Sequence, residues 1–233
     1  MIPKEVLLRE KERYELPLHI TKRELKQLKK SYPVQKIIGF QEMQNIYIDL
    51  NYKVLIPRYE TEEVILECYK YINNNSKVLD LGCGSGFIGL AIKKNIDCFV
   101  TLVDKSLQAI KQTKKNAQIN KLNVDIIKSD WFKKVSGKFD LIVSNPPYLN
   151  KKLISNKSLR YEPKLALFAK DSGFFSYKQI LKNVKKYLKK DGILIFEIDP
   201  FISKKLQKIY PKVVIKKDIN GKDRIAILKF NQI

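Results

Sequence analysis

Val78-Leu79-Asp80-Leu81-Gly82-Cys83-Gly84-Ser85-Gly86 is the stretch on which the reading of the fold turns. Val78 to Leu81 is a short, mostly apolar run of strand length. Glycines follow at every second position, and a helical pattern opens at Phe87 and runs to about Lys94. Short apolar runs bounded by turn residues read as buried strands. Glycines between a strand and a helix let the backbone approach a ligand and aim the N-terminal amides of the helix at it. The spacing alone leaves two readings open, because G-x-G-x-G occurs both in ordinary tight turns and in dinucleotide-binding folds.

The same strand-then-helix rhythm continues toward the C-terminus. Phe99 to Val103 reads as a second strand, with a helix from about Ser106 to Asn120. Val124 to Ile127 and Phe139 to Ser144 read as the third and fourth strands. A helix from about Phe175 to Leu188 precedes a fifth strand, Ile193 to Ile198. A helix near Ile202 to Ile209 and strands near Val213 to Ile215 and Ile225 to Phe230 complete the pattern. Seven strand segments alternating with helices predict an α/β fold with a mostly parallel sheet and helices on both faces.

Upstream the pattern is different. Lys22 to Lys30 reads as a charged helix with Leu25 and Leu28 on one side, closed by Pro33. Ile46-Tyr47-Ile48 and Val54-Leu55-Ile56, with Asn51-Tyr52 between them, predict a small β-hairpin. Thr61 is placed to cap a helix running to about Ile72, with Glu62 and Glu63 in its first turn. The expected organisation is therefore a short helical segment over 1–32, a linker with a hairpin over 33–58, and the main domain over 59–233.

Composition narrows the function classes. At 233 residues, 44% hydrophobic and 30% charged, the chain has the make-up of a globular protein with one substantial core. No uninterrupted apolar segment approaches the ~20 residues of a membrane span. Charge interrupts the apolar residues of Met1 to Glu10, so no secretory signal is expected. Cys68, Cys83 and Cys98 show no C-x-x-C spacing and His19 is the sole histidine, which argues against a disulfide framework, a metal site or a conventional triad. A reducing cytoplasm is the expected location. The net charge of +22 fits either an acidic or RNA-containing partner, such as the ribosome, or a lysine-rich solvated surface.

Polar groups gather at the expected strand ends. Asp104 closes the second strand some twenty residues beyond the glycines, where a carboxylate can accept both ribose hydroxyls; capping the next helix, in competition with Ser106, is the other reading. Asp130-Trp131 follows the third strand, where a flat ring suits an adenine or simply fills core. Asn145-Pro146-Pro147-Tyr148 ends the fourth strand. Each proline fixes its own φ and pushes the preceding residue into extended geometry. The Asn145 side chain and the Pro146 carbonyl then offer two acceptors to a planar –NH2 group, with the Tyr148 ring as a stacking face. Such a holder takes an amide or an exocyclic amine.

These segments together resemble the release-factor glutamine methyltransferases (the HemK/PrmC family), Rossmann-like class I enzymes that use S-adenosylmethionine. The resemblance runs from about residue 33 to the C-terminus. It rests on PVQKIIG at 33–39, VLIPRYETE at 54–62, VLDLGCGSG at 78–86, SDWF at 129–132, DLIVSNPPYL at 140–149, YEPKLALF at 161–168 and GKDR at 221–224. It implies that Gly82, Cys83, Gly84, Ser85 and Gly86 cradle the cofactor, that Asp104 binds its ribose, and that Trp131 borders its adenine. Asn145 is implied on the cofactor side too, and Asn145, Pro146, Pro147 and Tyr148 as the catalytic holder of the substrate. That substrate is implied to be the glutamine of the Gly-Gly-Gln tip of peptide-chain release factors. Tyr59, Cys83 and Lys164 replace a common proline, threonine and arginine of the family, and about thirty residues precede 33–39, where a longer helical docking domain is usual.

Two sibling readings share these motifs: glutamine methylation of a ribosomal protein, and methylation of an exocyclic amine in DNA or RNA, where a flipped base presents the same –NH2 geometry. A third reading is a non-catalytic module that binds S-adenosylmethionine. Leu149 to Ser158 reads either as an ordinary polar loop or as a flap with Glu162-Pro163 at its base. Arg58 is expected to pair with Glu60 or Glu162.

Overall fold

A computed structural model of the chain describes residues 1–149 and 157–233. Seven strands form one sheet in the order β5-β4-β3-β6-β7-β9-β8. Numbered along the chain, they are β3 (Lys77–Leu81), β4 (Phe99–Asp104), β5 (Asp125–Lys128), β6 (Phe139–Ser144), β7 (Leu188–Glu197), β8 (Val214–Lys217) and β9 (Asp223–Lys229). β3 to β7 pair in parallel, and β9 runs antiparallel to both β7 and β8. The expected mostly parallel, seven-stranded α/β sheet is thus the fold of the chain.

Burial follows the two-residue period of a strand packed on both faces. Val78, Leu141, Val143, Ile193 and Ile195 face one core, and Leu79, Leu81, Ile142, Leu194 and Phe196 face the other. α4 (Glu60–Cys68), α5 (Phe87–Asn95) and α6 (Leu107–Ile119) supply Val64, Ile65, Leu90, Ile92 and Ala117 to the first core. α8 (Phe175–Val184) and α9 (Pro200–Ile209) close the second with Tyr177, Ile180, Val184, Ile202 and Leu206. A short α7 (Lys164–Leu167) lies at the strand ends. Ser106 caps α6, its hydroxyl accepting from Ala109 N–H.

The N-terminal part has its own small core of Leu7, Leu28 and Val34, from α1 (Lys4–Arg13), α2 (Lys22–Lys29) and α3 (Val34–Ile38). α2 begins with a capping box: Thr21 Oγ1 accepts from Glu24 N–H, and Glu24 Oε2 accepts from Thr21 N–H at 2.8 Å. Buried Lys11 joins this corner to α1, 2.8 Å from Glu24 and 2.7 Å from the His19 carbonyl.

The hairpin lies elsewhere than the sequence predicts. β1 (Phe40–Met43) pairs with β2 (Ile46–Asp49), and the turn is Gln44-Asn45, not Asn51-Tyr52. Both turn residues are left-handed, at φ 48° and 61°, the geometry whose twist matches two antiparallel strands joined by two residues. Val54 to Ile56 is not a strand; Ile56 N–H donates to the Glu162 carboxylate at 2.9 Å. α6 takes up the outer edge of β2 with a row of amides one turn apart: Asn120 Oδ1 accepts from Tyr47 N–H and Asn116 Oδ1 from Asp49 N–H, at 2.8 and 2.9 Å. Thr61 is not the cap of its helix. α4 starts at Glu60 after Tyr59, so Thr61 sits inside the first turn and its hydroxyl is free to bond elsewhere.

Candidate functional site

A cavity of about 450 Å³ opens at the carboxyl ends of β3, β4 and β6. Strand order reverses between β3 and β6, which is where doubly wound sheets bind ligands. Gly82, Cys83, Gly84, Ser85, Asp104, Trp131, Asn145 and Pro147 share its lining. Lys53 to Arg58 and the stretch around α7 supply the facing side. Among the described residues, Gly86, Pro146 and Tyr148 stand behind that lining.

The glycine wall is built from backbone. After Leu81 the chain turns over β4, with Gly82 N–H and Cys83 N–H donating to the Val103 carbonyl at 2.8 and 3.0 Å. Gly86 then enters α5 at φ 85°, and a Cβ there would come within 2.9 Å of Leu90 and 3.0 Å of Thr113. Left-handed backbone and a crowded site together demand glycine. Asp104 is anchored through both oxygens, accepting from Gly84 N–H at 3.0 Å and Ser106 N–H at 2.7 Å. Burial pushes its carboxyl pKa up, opposed by those amides. Of its two sequence readings, capping falls to Ser106, and Asp104 lines the cavity. Trp131 starts a short turn at φ 51° and lays its ring against Gly82, the edge of the ring 3.8 Å from where a Cβ on that glycine would stand.

An adenosyl group fits this wall. Glycine backbone is open to close approach, a fixed carboxylate can accept two hydroxyls, and a flat ring stands at the next strand end.

The opposite wall is built from side chains. The Ser144 hydroxyl donates to the Leu81 carbonyl at 2.6 Å, locking the end of β6 to β3. Asn145 Nδ2 then donates at 2.8 Å to Glu197 Oε2, at the end of β7. The Thr61 hydroxyl donates to the same oxygen, also at 2.8 Å. Glu197 is 1% exposed, and burial pushes its pKa up. With the Asn145 amide nitrogen committed, Oδ1 is the atom left for the cavity. The sequence offered one sign of Glu197: a carboxylate closing the apolar run Ile193-Leu194-Ile195-Phe196. Nothing local marks Thr61 as its partner.

Pro146 is buried, and the Tyr148 ring packs against the second core rather than the cavity, with burial pushing its phenol pKa well up. Gly173, at φ 94°, leaves room for the Tyr148 carbonyl, which any side chain there would strike. Arg58 pairs with Glu162, at 2.6 Å, rather than with Glu60. Since Glu162 also holds Ile56 N–H, one carboxylate ties 56–58 to the end of the turn Lys157–Tyr161. Residues 150–156 of the predicted flap lie outside the described residues.

Fold and site define a class I α/β methyltransferase. The methyltransferase small domain family matches residues 60–161. The chain is 36% identical over 223 residues to the release factor glutamine methyltransferase of Flavobacterium psychrophilum, covering 88% of this chain and 78% of that one. The enzyme of the same name from Lactococcus lactis is 34% identical, with 88% and 80% covered. Among solved structures, a methyltransferase from Pyrococcus furiosus superposes with a TM-score of 0.62 at 17% identity, over 91% of this chain and 99% of that one. The chain belongs to the release factor glutamine methyltransferase family.

Proposed function

We infer that the protein transfers a methyl group from S-adenosylmethionine to the side-chain amide nitrogen of a glutamine in peptide-chain release factors, the glutamine of the Gly-Gly-Gln tip. The observation that carries this reading is Asn145: its nitrogen is held by Glu197, its oxygen is left to the cavity, and the adenosyl-fitting wall stands opposite. When bound, S-adenosylmethionine supplies an electrophilic methyl group on a positively charged sulfur. A carboxamide nitrogen is a poor nucleophile, so the protein's task is alignment, which can contribute ~7–11 kcal/mol. Asn145 Oδ1 accepts an N–H of the substrate carboxamide and sets a negative dipole where positive charge grows on nitrogen. The nitrogen would gain a C–N bond as the S–CH3 bond breaks and leaves its electron pair on sulfur, and would lose a proton to solvent; the products are N5-methylglutamine and S-adenosylhomocysteine.

Pro147 narrows the wall beside Asn145, and Pro146 and Tyr148 brace it from behind. Gly82 to Gly86, Asp104 and Trp131 are assigned to the cofactor. Residues 1–32 are assigned to docking the protein substrate, and the net charge of +22 favours approach of acidic partners, ribosomal RNA included. Among the described residues no helix is long and apolar enough to cross a membrane.

The test is incubation with methyl-labelled S-adenosylmethionine, a release factor and, in parallel, nucleic acid. Mass spectrometry is expected to find one added methyl on the Gly-Gly-Gln glutamine. Label confined to nucleic acid would overturn the reading.

A further inference from the structure

We propose that Glu197 is a positioning residue that makes the site select a carboxamide over a carboxylate. The inference rests on the glutamine reading above and adds what discriminates glutamine from glutamate.

A neutral amide such as Asn145 can present either its oxygen or its nitrogen to a ligand, at little intrinsic difference in energy. The protein has to choose. Glu197 Oε2, 2.8 Å away, accepts from Asn145 Nδ2 and so holds the nitrogen of Asn145 toward itself. The Thr61 hydroxyl, donating to the same oxygen at 2.8 Å, fixes the carboxylate in turn. Tyr177 secures the backbone of the same residue, its hydroxyl donating to the Glu197 carbonyl at 2.7 Å. The cavity therefore meets an acceptor. A glutamine –NH2 satisfies it; a glutamate oxygen would set lone pairs against lone pairs in a partly buried site. The arrangement also gives a reason for asparagine at 145, since an aspartate there would put two carboxylates at hydrogen-bond distance.

The experiment compares the wild type, Glu197→Gln and Glu197→Leu. Calorimetry measures S-adenosylmethionine binding and, separately, binding of a release factor carrying either the native glutamine or a glutamate at the methylated position. Wild type is expected to prefer glutamine by about 10²-fold. In Glu197→Leu the Asn145 amide is free to turn, and the preference is expected to fall to about fivefold or less, with S-adenosylmethionine affinity kept within about threefold. Glu197→Gln keeps shape and one acceptor oxygen but adds an amide that can itself turn, so its preference falls between the two.

A residue that merely supports the fold would weaken both ligands together and leave their ratio alone. An unchanged ratio in Glu197→Leu overturns the proposal, as does loss of S-adenosylmethionine binding in both variants. A wild type that leaves the release factor unlabelled breaks the glutamine reading instead, so the two failures show in different proteins.

Discussion

The glycine-loop wall draws on residues 82–131, held mainly by backbone amides and carbonyls of adjacent strand ends. The Asn145 wall is held by side chains: Asn145–Glu197 spans 52 positions, Arg58–Glu162 spans 104 and Thr61–Glu197 spans 136. The first wall is shape made by backbone, so its weak points are places where a Cβ has no room. The second is polarity made by side chains, so its weak points are single donors and acceptors. Damage to the first is expected to appear in stability and cofactor affinity, and damage to the second in turnover and substrate choice.

Four experiments press on that contrast. The largest effect is expected from Asn145→Ala, which removes the acceptor and should lower the methylation rate about 10³-fold while S-adenosylmethionine still binds. Near-normal turnover would show that the side-chain wall is not where polarity matters. Gly86→Ala comes next. Left-handed backbone and contacts near 3 Å should together remove about 3 kcal/mol of stability, read from denaturant unfolding. A loss below about 1 kcal/mol would mean that the loop yields easily and that the first wall is not rigid.

Asp80 gives the third test. It lies beneath the glycine loop, 1% exposed, with Oδ2 accepting from Gly89 N–H at 2.9 Å and Oδ1 without a partner among the described residues. Burial lifts its pKa from 3.8 to about 7. Its contribution to stability is complete below 3.8 and is lost as pH rises through about 7, because the folded state holds the proton longer than the unfolded one. Asp80→Asn should abolish that loss, gaining about 2 kcal/mol on the wild type between pH 5 and pH 8 in paired thermal melts. Parallel pH curves for the two proteins would place the carboxylate's charge elsewhere. The smallest effect is expected from Arg58→Ala. The Arg58 side chain is about one-third exposed, so solvent screens the pair, and about 1 kcal/mol or less of stability should go. Because Arg58 lines the cavity, the substrate KM should rise a few-fold with kcat nearly constant; an unmoved KM would detach that pair from substrate handling.

The contrast also explains what the sequence shows and what it hides. β6 and the glycine loop are legible because their cues, an apolar run and alternating glycines, sit within a few residues. Ser106 is legible as a cap for the same reason. β7 is half legible: Ile193 to Ile198 reads as a strand, but β7 begins at Leu188, paired with Phe139, and Lys189-Lys190-Asp191-Gly192, a stretch that looks like a turn, makes an irregularity before pairing resumes at Ile193. The hairpin is misplaced because Gln44-Asn45 is a poor turn signal by composition and becomes one only when both residues take positive φ. Thr61 beside three glutamates looks like a cap, since nothing within the helix reveals a carboxylate 136 positions downstream. Asn145 is visible as a candidate holder, whereas Glu197, 52 positions on, which accepts its amide nitrogen, is not.

The amide row on α6 carries a consequence for solubility. A two-stranded ribbon is marginal alone in water, and its open edge is a template on which a second chain can build. Asn116 and Asn120 act as a counterfeit strand, offering side-chain carbonyls to the edge N–H groups of Asp49 and Tyr47, and the nitrogen of Asn120 returns a bond to the Tyr47 carbonyl at 2.7 Å. The edge is finished off inside the molecule. A helix supplies what a neighbouring copy of the protein would otherwise provide, and the ribbon is kept out of intermolecular sheets.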